Sequence, residues 1–263
     1  MMKKVYRYEE NFKYWDRRWA ESGRDADEFL DRNIYPIRYA EMVMTNPADR
    51  SVELGTGLGR VLKHYYGKGF KIVGLERSEV AVRRLKEEHP ELDVRVGDVR
   101  QMPYSDGEFD VVLGFGLYHN LEEGLEQALS ETSRCLRKGG RFCISMRPDN
   151  LEMNLNEWYW NWRNRGDRNQ PRRFHKWLVG EDEFAHCLRN HRLYPRQIHR
   201  ARNVSLLYRI PWLRGSSARE LESDRRAKGY RLNGLGTFLD RCLVGVFPRQ
   251  FCNVTVYIGE KGD

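Results

Sequence analysis

The sequence predicts an α/β protein in which helices cover a mostly parallel sheet, and two observations lead to this fold class. From Arg50 onward, short apolar runs alternate with amphipathic stretches, which is the order of a βαβα chain. The chain has 263 residues, 40% of them hydrophobic and 12% aromatic, which is enough for one sizeable core but little for two independent domains. We therefore expect one main domain with an elaboration.

The strands of this sheet are predicted by five apolar runs in the first 147 residues, at 51–54, 71–75, 93–96, 110–115 and 141–146. Between the fourth and fifth runs, apolar residues recur at helical spacing from Leu125 to Leu136, and Gly139 and Gly140 follow as a stop signal. This segment predicts a crossover helix with its apolar face on the sheet.

The chain changes character after Pro148, where aromatic residues alternate with arginines and predict an insertion instead of another βα repeat. The residues concerned are Trp158, Tyr159, Trp160, Trp162 and Trp177, with Arg163, Arg165, Arg168, Arg172 and Arg173. Beyond the insertion we expect a helix over 180–188, a strand over 195–202, a packed helix over 232–247 and a terminal strand over 253–258.

Composition excludes several classes of protein. No apolar run approaches the roughly 20 residues that span a bilayer, and the mean hydropathy is −0.77. The N-terminus has basic residues but no apolar stretch behind them, so it does not resemble a secretory signal. Five scattered cysteines without a CxxC motif suggest neither a disulfide framework nor a zinc site, so we expect a cytoplasmic protein without a metal.

Positive charge is concentrated in the C-terminal part of the chain. Residues 1–150 hold 25 Lys and Arg against 26 Asp and Glu, whereas residues 151–263 hold 21 against 12. Of these 21 cations, 18 are arginines, which suit bidentate binding of carboxylate or phosphate and stacking on aromatic rings. An anionic partner for this half is one interpretation, and a solvated surface is the other.

A glycine-rich turn follows the first predicted strand. Residues 53–59 read Glu-Leu-Gly-Thr-Gly-Leu-Gly, so bare backbone and a helix N-terminus lie where an anionic or carboxylate-bearing ligand can approach. Arg60 occupies the last glycine position of the G-x-G-x-x-G dinucleotide fingerprint, which disfavours that motif. Glu76 closes the second strand, where a carboxylate can accept both hydrogens of a ribose diol.

A second acid, Asp98, stands just after the third strand, where it can accept a hydrogen bond from an adenine amino group. The stretch 106–110, Asp-Gly-Glu-Phe-Asp, then leads into the fourth strand. With this ordered set the chain resembles the class I S-adenosylmethionine-dependent methyltransferases, in their small-molecule branch. The resemblance covers roughly 50–147, with 118–123 and 136–140 also in the family's places.

The resemblance implies a Rossmann-like, doubly wound, mostly parallel seven-stranded sheet with an antiparallel C-terminal strand, plus a largely helical Trp/Arg-rich insertion. It divides the chain into an N-terminal helical lid (1–49), the cofactor-binding core (50–147), a substrate-cap insertion with a late core helix and strand (148–250), and the C-terminal strand (251–263). The implied cofactor is S-adenosyl-L-methionine.

The resemblance also assigns roles to residues. Gly55, Thr56 and Gly57 would pass the methionine part of the cofactor, and Glu53 would anchor the loop or the amino group. Glu76 would hold the ribose hydroxyls, and Asp98 with the Val99 amide would read the adenine. Arg77, next to Glu76, is also expected among the cofactor-binding residues. Phe115 and Gly116 would flank the sulfonium, and Tyr14 would contact the cofactor from the lid. Glu53 stands in place of the more usual Asp, and Thr56 in place of a frequent Cys or Ser.

Residues for the acceptor are less specified. His119, with a pKa near the usual value of about 6.5, is the candidate general base. A structural role in its loop is the alternative, and Tyr118 or Asn120 equally suits contact with the acceptor. Trp158, Trp160 and Arg173 are candidate substrate contacts, although packing and solvation are the alternatives.

We therefore expect O- or N-methylation of an anionic or aromatic small molecule. An RNA or nucleic-acid methyltransferase, or a nucleoside-binding module without catalysis, remains the alternative.

Overall fold

The computed structural model describes residues 2–8, 10–21, 35–163, 171–201, 206–215 and 232–263. Its centre is a seven-stranded sheet with the order β4-β3-β2-β5-β6-β9-β8. All of its pairings are parallel except those of β9, which is antiparallel to β6 and to β8. The strands are β2 (Ser51–Leu54), β3 (Ile72–Glu76), β4 (Val94–Val96), β5 (Phe109–Gly114), β6 (Leu136–Met146), β8 (Leu193–Ala201) and β9 (Val254–Lys261). The predicted fold class is confirmed.

Helices cover both faces of this sheet. One face packs on α5 (Leu125–Cys135) and α7 (Glu181–Asn190), through side chains such as Leu129 and Phe184. The other face packs on α2 (Ile37–Ala40), α3 (Arg60–Tyr66) and α4 (Glu79–Glu88), through side chains such as Leu62 and Leu85. Alternate strand residues enter the two clusters, Val112 the first and Val111 the second, as the period of a strand requires.

The crossover helix is shorter than its apolar spacing predicts. It ends at Cys135, and Leu136 has the extended backbone of the first residue of β6, where it pairs with Phe109. Leu136 is fully buried at the start of the strand, and an apolar residue on the inner face of a helix is buried too, so helical spacing alone cannot distinguish the last turn of a helix from the first residue of a strand. The glycines at 139 and 140 therefore lie inside the irregular start of β6.

A second, two-stranded sheet pairs a strand near the start of the chain with a strand of the insertion. Strand β1 (Lys3–Arg7) pairs antiparallel with β7 (Arg173–Leu178) in the insertion. Between these strands the chain also forms α1 (Asn11–Glu21) and, in the insertion, α6 (Leu151–Arg163). The described part of the insertion thus begins with a helix and continues with the extended strand β7. Arg165, Arg168 and Arg202 lie outside the described residues.

The helix expected over 232–247 forms as α8 (Gly234–Val246), preceded by short 3₁₀ turns at Leu206–Arg209 and Pro211–Leu213. The expectation that it is packed is wrong for the described residues. Leu235, Phe238 and Val246 are exposed, and among the helix residues only Gly236 is buried. Within the described ranges, no helix has the length and apolarity to cross a membrane.

Candidate functional site

The glycine loop and the tip of β3 form one hydrogen-bonded unit at the carboxyl edge of the sheet. Gly55, Gly57 and Gly59 all have positive φ, which side-chain-bearing residues rarely adopt. The amide of Gly57 donates to Glu76 Oε2 at 2.8 Å, and the amide of Ser78 donates to Oε1 at 2.9 Å. Glu76 therefore holds its carboxylate over the loop, on the side predicted from the sequence.

Two side chains beneath this loop hold its shape. Glu53 is 4% exposed and accepts a hydrogen bond from the amide of Leu62, near the start of α3, at 2.9 Å. Burial raises the pKa of this carboxyl to about 8, against the opposing effects of that hydrogen bond and the charge of Arg60. The Thr56 hydroxyl donates to the carbonyl of Glu53 at 3.0 Å and is buried, so it supports the turn from inside.

Asp98 stands at the tip of β4 and is held by basic side chains. Arg100 binds it through Nη2 at 2.6 Å and Nε at 3.0 Å, and this side-chain hydrogen bonding lowers the pKa of the carboxyl. Arg77 Nε lies 4.0 Å from Asp98 Oδ2. The Val99 side chain is buried in the core, so only its backbone is left for a ligand.

Helix α1 lies over the loop and the β3 tip. An added Cβ on Gly57 would come within 2.9 Å of the Trp19 ring, so the bare backbone of this glycine is what lets the helix approach. Asp16 accepts a hydrogen bond from the Ser78 hydroxyl at 2.5 Å, and Arg84 binds the carbonyl of Trp19 at 2.8 Å. The predicted lid is therefore seated on the predicted cofactor edge.

Tyr14 occupies the inner end of this helix. Its hydroxyl accepts from Arg18 Nη1 at 3.1 Å, and its ring meets His175 edge-on, with 6.2 Å between centroids. The Tyr14 ring thus lies on the side of α1 that faces β7.

Open space lies next to the tip of β5. Gly116 has positive φ, and a Cβ added there would meet no described atom within 4 Å. Its amide donates to the Ser145 hydroxyl at 2.9 Å, which also accepts from the Tyr35 hydroxyl at 2.5 Å. The Phe115 ring packs edge-on against Tyr35, with 5.6 Å between centroids. The tips of β5 and β6 are therefore tied together beside this opening.

The 3₁₀ turn Tyr118–Asn120 follows β5. Its first two residues are both buried, but their side chains differ in hydrogen bonding. The Tyr118 side chain is fully buried in the core, with its hydroxyl 2.7 Å from that of Thr132, so the expectation that it faces the acceptor is corrected. His119 is 6% exposed, and its Nδ1 atom is buried without a hydrogen-bond partner among the described residues. Burial, then the charges of Arg147, Lys176 and His175, lowers its pKa well below the usual value. A pKa near 6.5 is thus not what this environment gives.

Charged side chains from β1, β6, α6 and β7 surround this histidine. Lys176 Nζ lies 2.7 Å from Glu157, whose carboxylate also binds Arg7 at 3.2 Å. Arg147, directly after β6, donates from Nη1 to the carbonyl of Asn253 at 2.7 Å. Burial lowers the pKa of Lys176 to about 8 and that of His175 to about 3.

The three remaining predicted substrate contacts lie on α6 or at the start of β7. Trp158 is 62% exposed, which points away from an enclosed site. Trp160 stacks under the Arg7 guanidinium, 4.7 Å from the ring centroid. Arg173 is exposed and pairs with Glu10 at 3.6 Å. The structure does not bring Trp158 or Arg173 together with His119, so neither is carried into the acceptor site below.

Residues 52–144 match the family model described as a methyltransferase domain. The chain carries a class I S-adenosylmethionine-dependent methyltransferase domain. This domain comprises β2 to β6 with their helices and contains every predicted cofactor residue except Tyr14.

Curated methyltransferases match part of the chain. A protein of Mycolicibacterium smegmatis, assigned as an S-adenosylmethionine-dependent methyltransferase, is 33% identical over 121 residues, covering 44% of this chain and 47% of its own. A demethylmenaquinone methyltransferase of Streptomyces avermitilis is 32% identical over 112 residues, covering 42% and 48%. The chain thus spans about half the length of the curated relatives it matches.

Solved structures match over most of the chain and show the fold. A chain in the complex of the Haloferax volcanii Trm112 methyltransferase activator with a methyltransferase has a TM-score of 0.61 at 18% identity, covering 95% of this chain and 98% of that one. A protein of Galdieria sulphuraria, assigned as a sarcosine dimethylglycine methyltransferase, has a TM-score of 0.57 at 16% identity, covering 90% and 85%.

The residues at the carboxyl edge of the methyltransferase domain fit S-adenosylmethionine, the cofactor of the family. Glu76 offers an acceptor-only side chain for a diol, the positive-φ glycines offer bare backbone, and Gly116 borders open space. Asp98 is ionised and partly exposed, but Arg100 already binds both of its oxygens. An adenine amino group therefore has to share this carboxylate with Arg100.

Several residues of the site are missing from the sequence prediction. Tyr35, Ser145, Arg147 and Lys176 reach it from three different segments, since Ser145 and Arg147 both lie at the end of β6. Arg147 gives the one usable signal, because it is a cation directly after a nearly continuous apolar strand. Lys176 lies on β7, whose pairing with β1 is not visible in either segment alone.

Proposed function

We propose that the chain transfers the methyl group of S-adenosylmethionine to an oxygen or nitrogen of a small molecule. In this proposal Glu76 holds the ribose hydroxyls, Gly55 and Gly57 border the methionine part, and Asp98 with the Val99 amide reads the adenine. The observation that carries the proposal is the Glu76 carboxylate fixed over the glycine loop by the Gly57 amide.

The chemistry asks the protein mainly for alignment. S-adenosylmethionine brings a methyl group that is already activated, so the chain has to hold the acceptor atom in line and keep water away. Gly116 at the tip of β5 leaves room for the reacting atoms, while α1 and β7 cover the edge. Asn120 accepts a hydrogen bond from Asn11 of α1 at 3.2 Å, which fixes the cover to the acceptor side.

Enclosure favours a small acceptor over a nucleic acid. Methyl transfer is predicted beside Gly116, at the tip of β5, and this is the predicted transfer point. The residues nearest to it lie beneath the cover formed by α1 and β7, since His119 is 6% exposed and the Lys176 side chain 11%. Arginines of the basic half are also engaged with carboxylates: Arg200 with Glu181, Arg196 with Glu260 and Arg249 with Glu181. Such pairing reduces the free positive surface that phosphate backbones need.

Calorimetric titration tests the cofactor part of the proposal. S-adenosylmethionine and S-adenosylhomocysteine should bind, and nicotinamide dinucleotides should not. Glu76→Ala should weaken the binding of both by at least about tenfold because a diol partner is lost, whereas Glu79→Ala, an exposed control, should not. Preference for a dinucleotide would contradict the proposal.

Transfer of a labelled methyl group tests the acceptor class. Labelled S-adenosylmethionine is incubated with the protein and either a small-metabolite fraction or total RNA. We expect label in the small-metabolite fraction. Label in RNA, together with a mobility shift that weakens with salt, would instead establish the nucleic-acid alternative. Tight cofactor binding without any transfer would favour a non-catalytic module.

A further inference from the structure

A group of basic side chains, two cations and two uncharged histidines, lies beside the predicted transfer point and is not needed to bind the cofactor. It consists of Arg147 at the end of β6, Lys176 and His175 on β7, and His119 in the 3₁₀ turn. The end of the turn and β7 are in direct contact, since Trp177 Nε1 donates to the carbonyl of Leu121 at 2.7 Å. Asn11 of α1 also bridges them, because its Nδ2 donates to Asn120 Oδ1 at 3.2 Å and to the carbonyl of His175. The group is therefore one site built from three separate segments.

The site lies close to the tip of β5. Arg147 is two residues beyond Ser145, whose hydroxyl accepts from the Gly116 amide at 2.9 Å. Residues two apart in extended backbone share a face, so Arg147 follows Ser145 on the side where Gly116 and Tyr35 lie. Electrostatic interaction between Tyr35 and Arg147 is in keeping with that placement.

The carboxylates of the described residues near this site are fewer than the cations, so they do not neutralise all of them. Glu157 binds Lys176 at 2.7 Å and Arg7 at 3.2 Å, and Glu152 accepts from the Leu206 amide at 3.2 Å while also acting on Arg147 through its charge. Three cations thus face two carboxylates. Among the described residues the Arg147 guanidinium forms no ion pair, and its one hydrogen bond goes to the carbonyl of Asn253. A guanidinium held inside the fold in this way has donors left for a ligand.

His119 provides an independent sign that a ligand belongs here. Its ring is buried, its Nδ1 atom has no partner among the described residues, and the Nε atom of Arg7 is likewise buried without one. A buried polar atom without a partner destabilises the fold, and a ligand that pairs with it removes that cost. Because His119 is neutral, one of its nitrogens can donate to an anionic oxygen while the other accepts.

We propose that Arg147, Lys176 and His119 bind an oxyanion of the methyl acceptor, a carboxylate or a phosphate, beneath the cover formed by α1 and β7. Arg147 supplies a bidentate donor pair, Lys176 a point charge shared with Glu157, and His119 a neutral donor. The identification of the bound anion as the methyl acceptor rests on the proposed function, whereas the anion site itself does not. The acceptor is thereby oriented by its charge, with its reacting atom left at the tip of β5.

Anion binding to the purified full chain tests the site separately from methyl transfer. The probes are benzoate and inorganic phosphate, titrated by calorimetry at constant chloride, with and without S-adenosylhomocysteine. We expect the wild type to bind at least one probe, and the preferred probe distinguishes a carboxylate from a phosphate acceptor. Binding of neither probe would overturn the proposal.

Substitutions then locate the site. Arg147→Met should weaken binding of the preferred probe by at least about tenfold, while S-adenosylhomocysteine affinity stays within about twofold. Arg196→Met, an exposed arginine on β8, is the matched control and should change neither affinity. Should Arg147→Met fail to fold, Arg147→Lys and Lys176→Gln take its place and should each weaken the probe. Unchanged probe affinity in folded variants would overturn the site.

The two proposals fail in different ways. If S-adenosylhomocysteine does not bind but the probe does, and depends on Arg147, the anion site stands and the methyltransferase proposal falls. If S-adenosylhomocysteine binds and neither probe does, the reverse holds.

Discussion

At the scale of single residues, the cofactor edge is built from carboxylates in three different states. Glu53 is buried with a raised pKa, Glu76 is fixed by two amides, and Asp98 is held ionised by Arg100. All three side chains end in a carboxyl group, so it is the environment that assigns Glu53 to supporting the loop and leaves Glu76 and Asp98 partly exposed.

Asp98→Ala should weaken the binding of S-adenosylmethionine by about 1 to 3 kcal/mol, the usual cost of a lost buried partner. The comparison is Asp93→Ala, because Asp93 lies near the opposite end of β4 and its carboxylate pairs with the exposed Arg95. Calorimetry gives both affinities. Equal affinities would exclude Asp98 from the adenine site.

His119→Ala should abolish turnover and leave cofactor affinity unchanged, because His119 is proposed to bind the acceptor and not the cofactor. Its lowered pKa keeps the ring uncharged at neutral pH. His119→Asn, which keeps a hydrogen-bond donor, should retain part of the turnover if His119 acts as a donor. Full turnover in His119→Ala would make it a structural residue of its loop.

At the scale of elements, helix α1 is the part of the cover that rests on the glycine loop. It is held by the Trp19 ring over Gly57, by Asp16 on Ser78 and by Arg84 on the last turn. Stacking of Trp15 on Trp19, with 5.2 Å between centroids, adds to the ordered face of the helix. These contacts are few and partly exposed, which is typical of a segment that opens before the core does.

Trp19→Ala should therefore lower the local opening free energy of α1 by about 2 kcal/mol, less than the 3 to 5 kcal/mol of a fully buried tryptophan. Hydrogen exchange should quicken in α1 and stay unchanged in β2 and β5. Trp212→Ala, at a tryptophan 67% exposed, is the control and should change neither. Uniform quickening over the whole sheet would show that α1 is part of the global core.

At the scale of the whole molecule, the sequence predicts the central sheet well and the cover poorly. Apolar runs such as that of β5 are buried on both faces and stand out at any register. The pairing of β1 with β7 depends on two short segments about 170 residues apart, and neither has a pattern that names the other. Glu76 and the glycines are predictable because they follow strands, whereas Lys176 is brought to the site by long-range pairing.

The buried Glu53 makes the stability of the whole molecule depend on pH. Its folded-state pKa of about 8 lies above the unfolded value, so the folded state keeps a proton that the unfolded state releases. This contribution is present at acidic pH and is lost as pH rises from about 4.5 to about 8, with a slope of at most about 1.4 kcal/mol per pH unit.

Glu53→Gln should remove that loss, so that its free energy of unfolding rises relative to the wild type between pH 5 and about 8. Denaturant melts at several pH values measure this difference. Glu87→Gln, an exposed control on α4, should run parallel to the wild type. Parallel curves for Glu53→Gln as well would mean that Glu53 is ionised without penalty.

The pairing of β1 with β7 also orders events during synthesis. A ribosome delivers Lys3–Arg7 first, yet the partner of this strand, Arg173–Leu178, follows only after β2 to β6 have left the exit tunnel. In the nascent chain β1 therefore stays unpaired while β2 to β6, which carry the glycine loop and Glu76, are already outside the tunnel. The group of basic side chains around Arg147 is consequently covered by the paired β1 and β7 only late in synthesis.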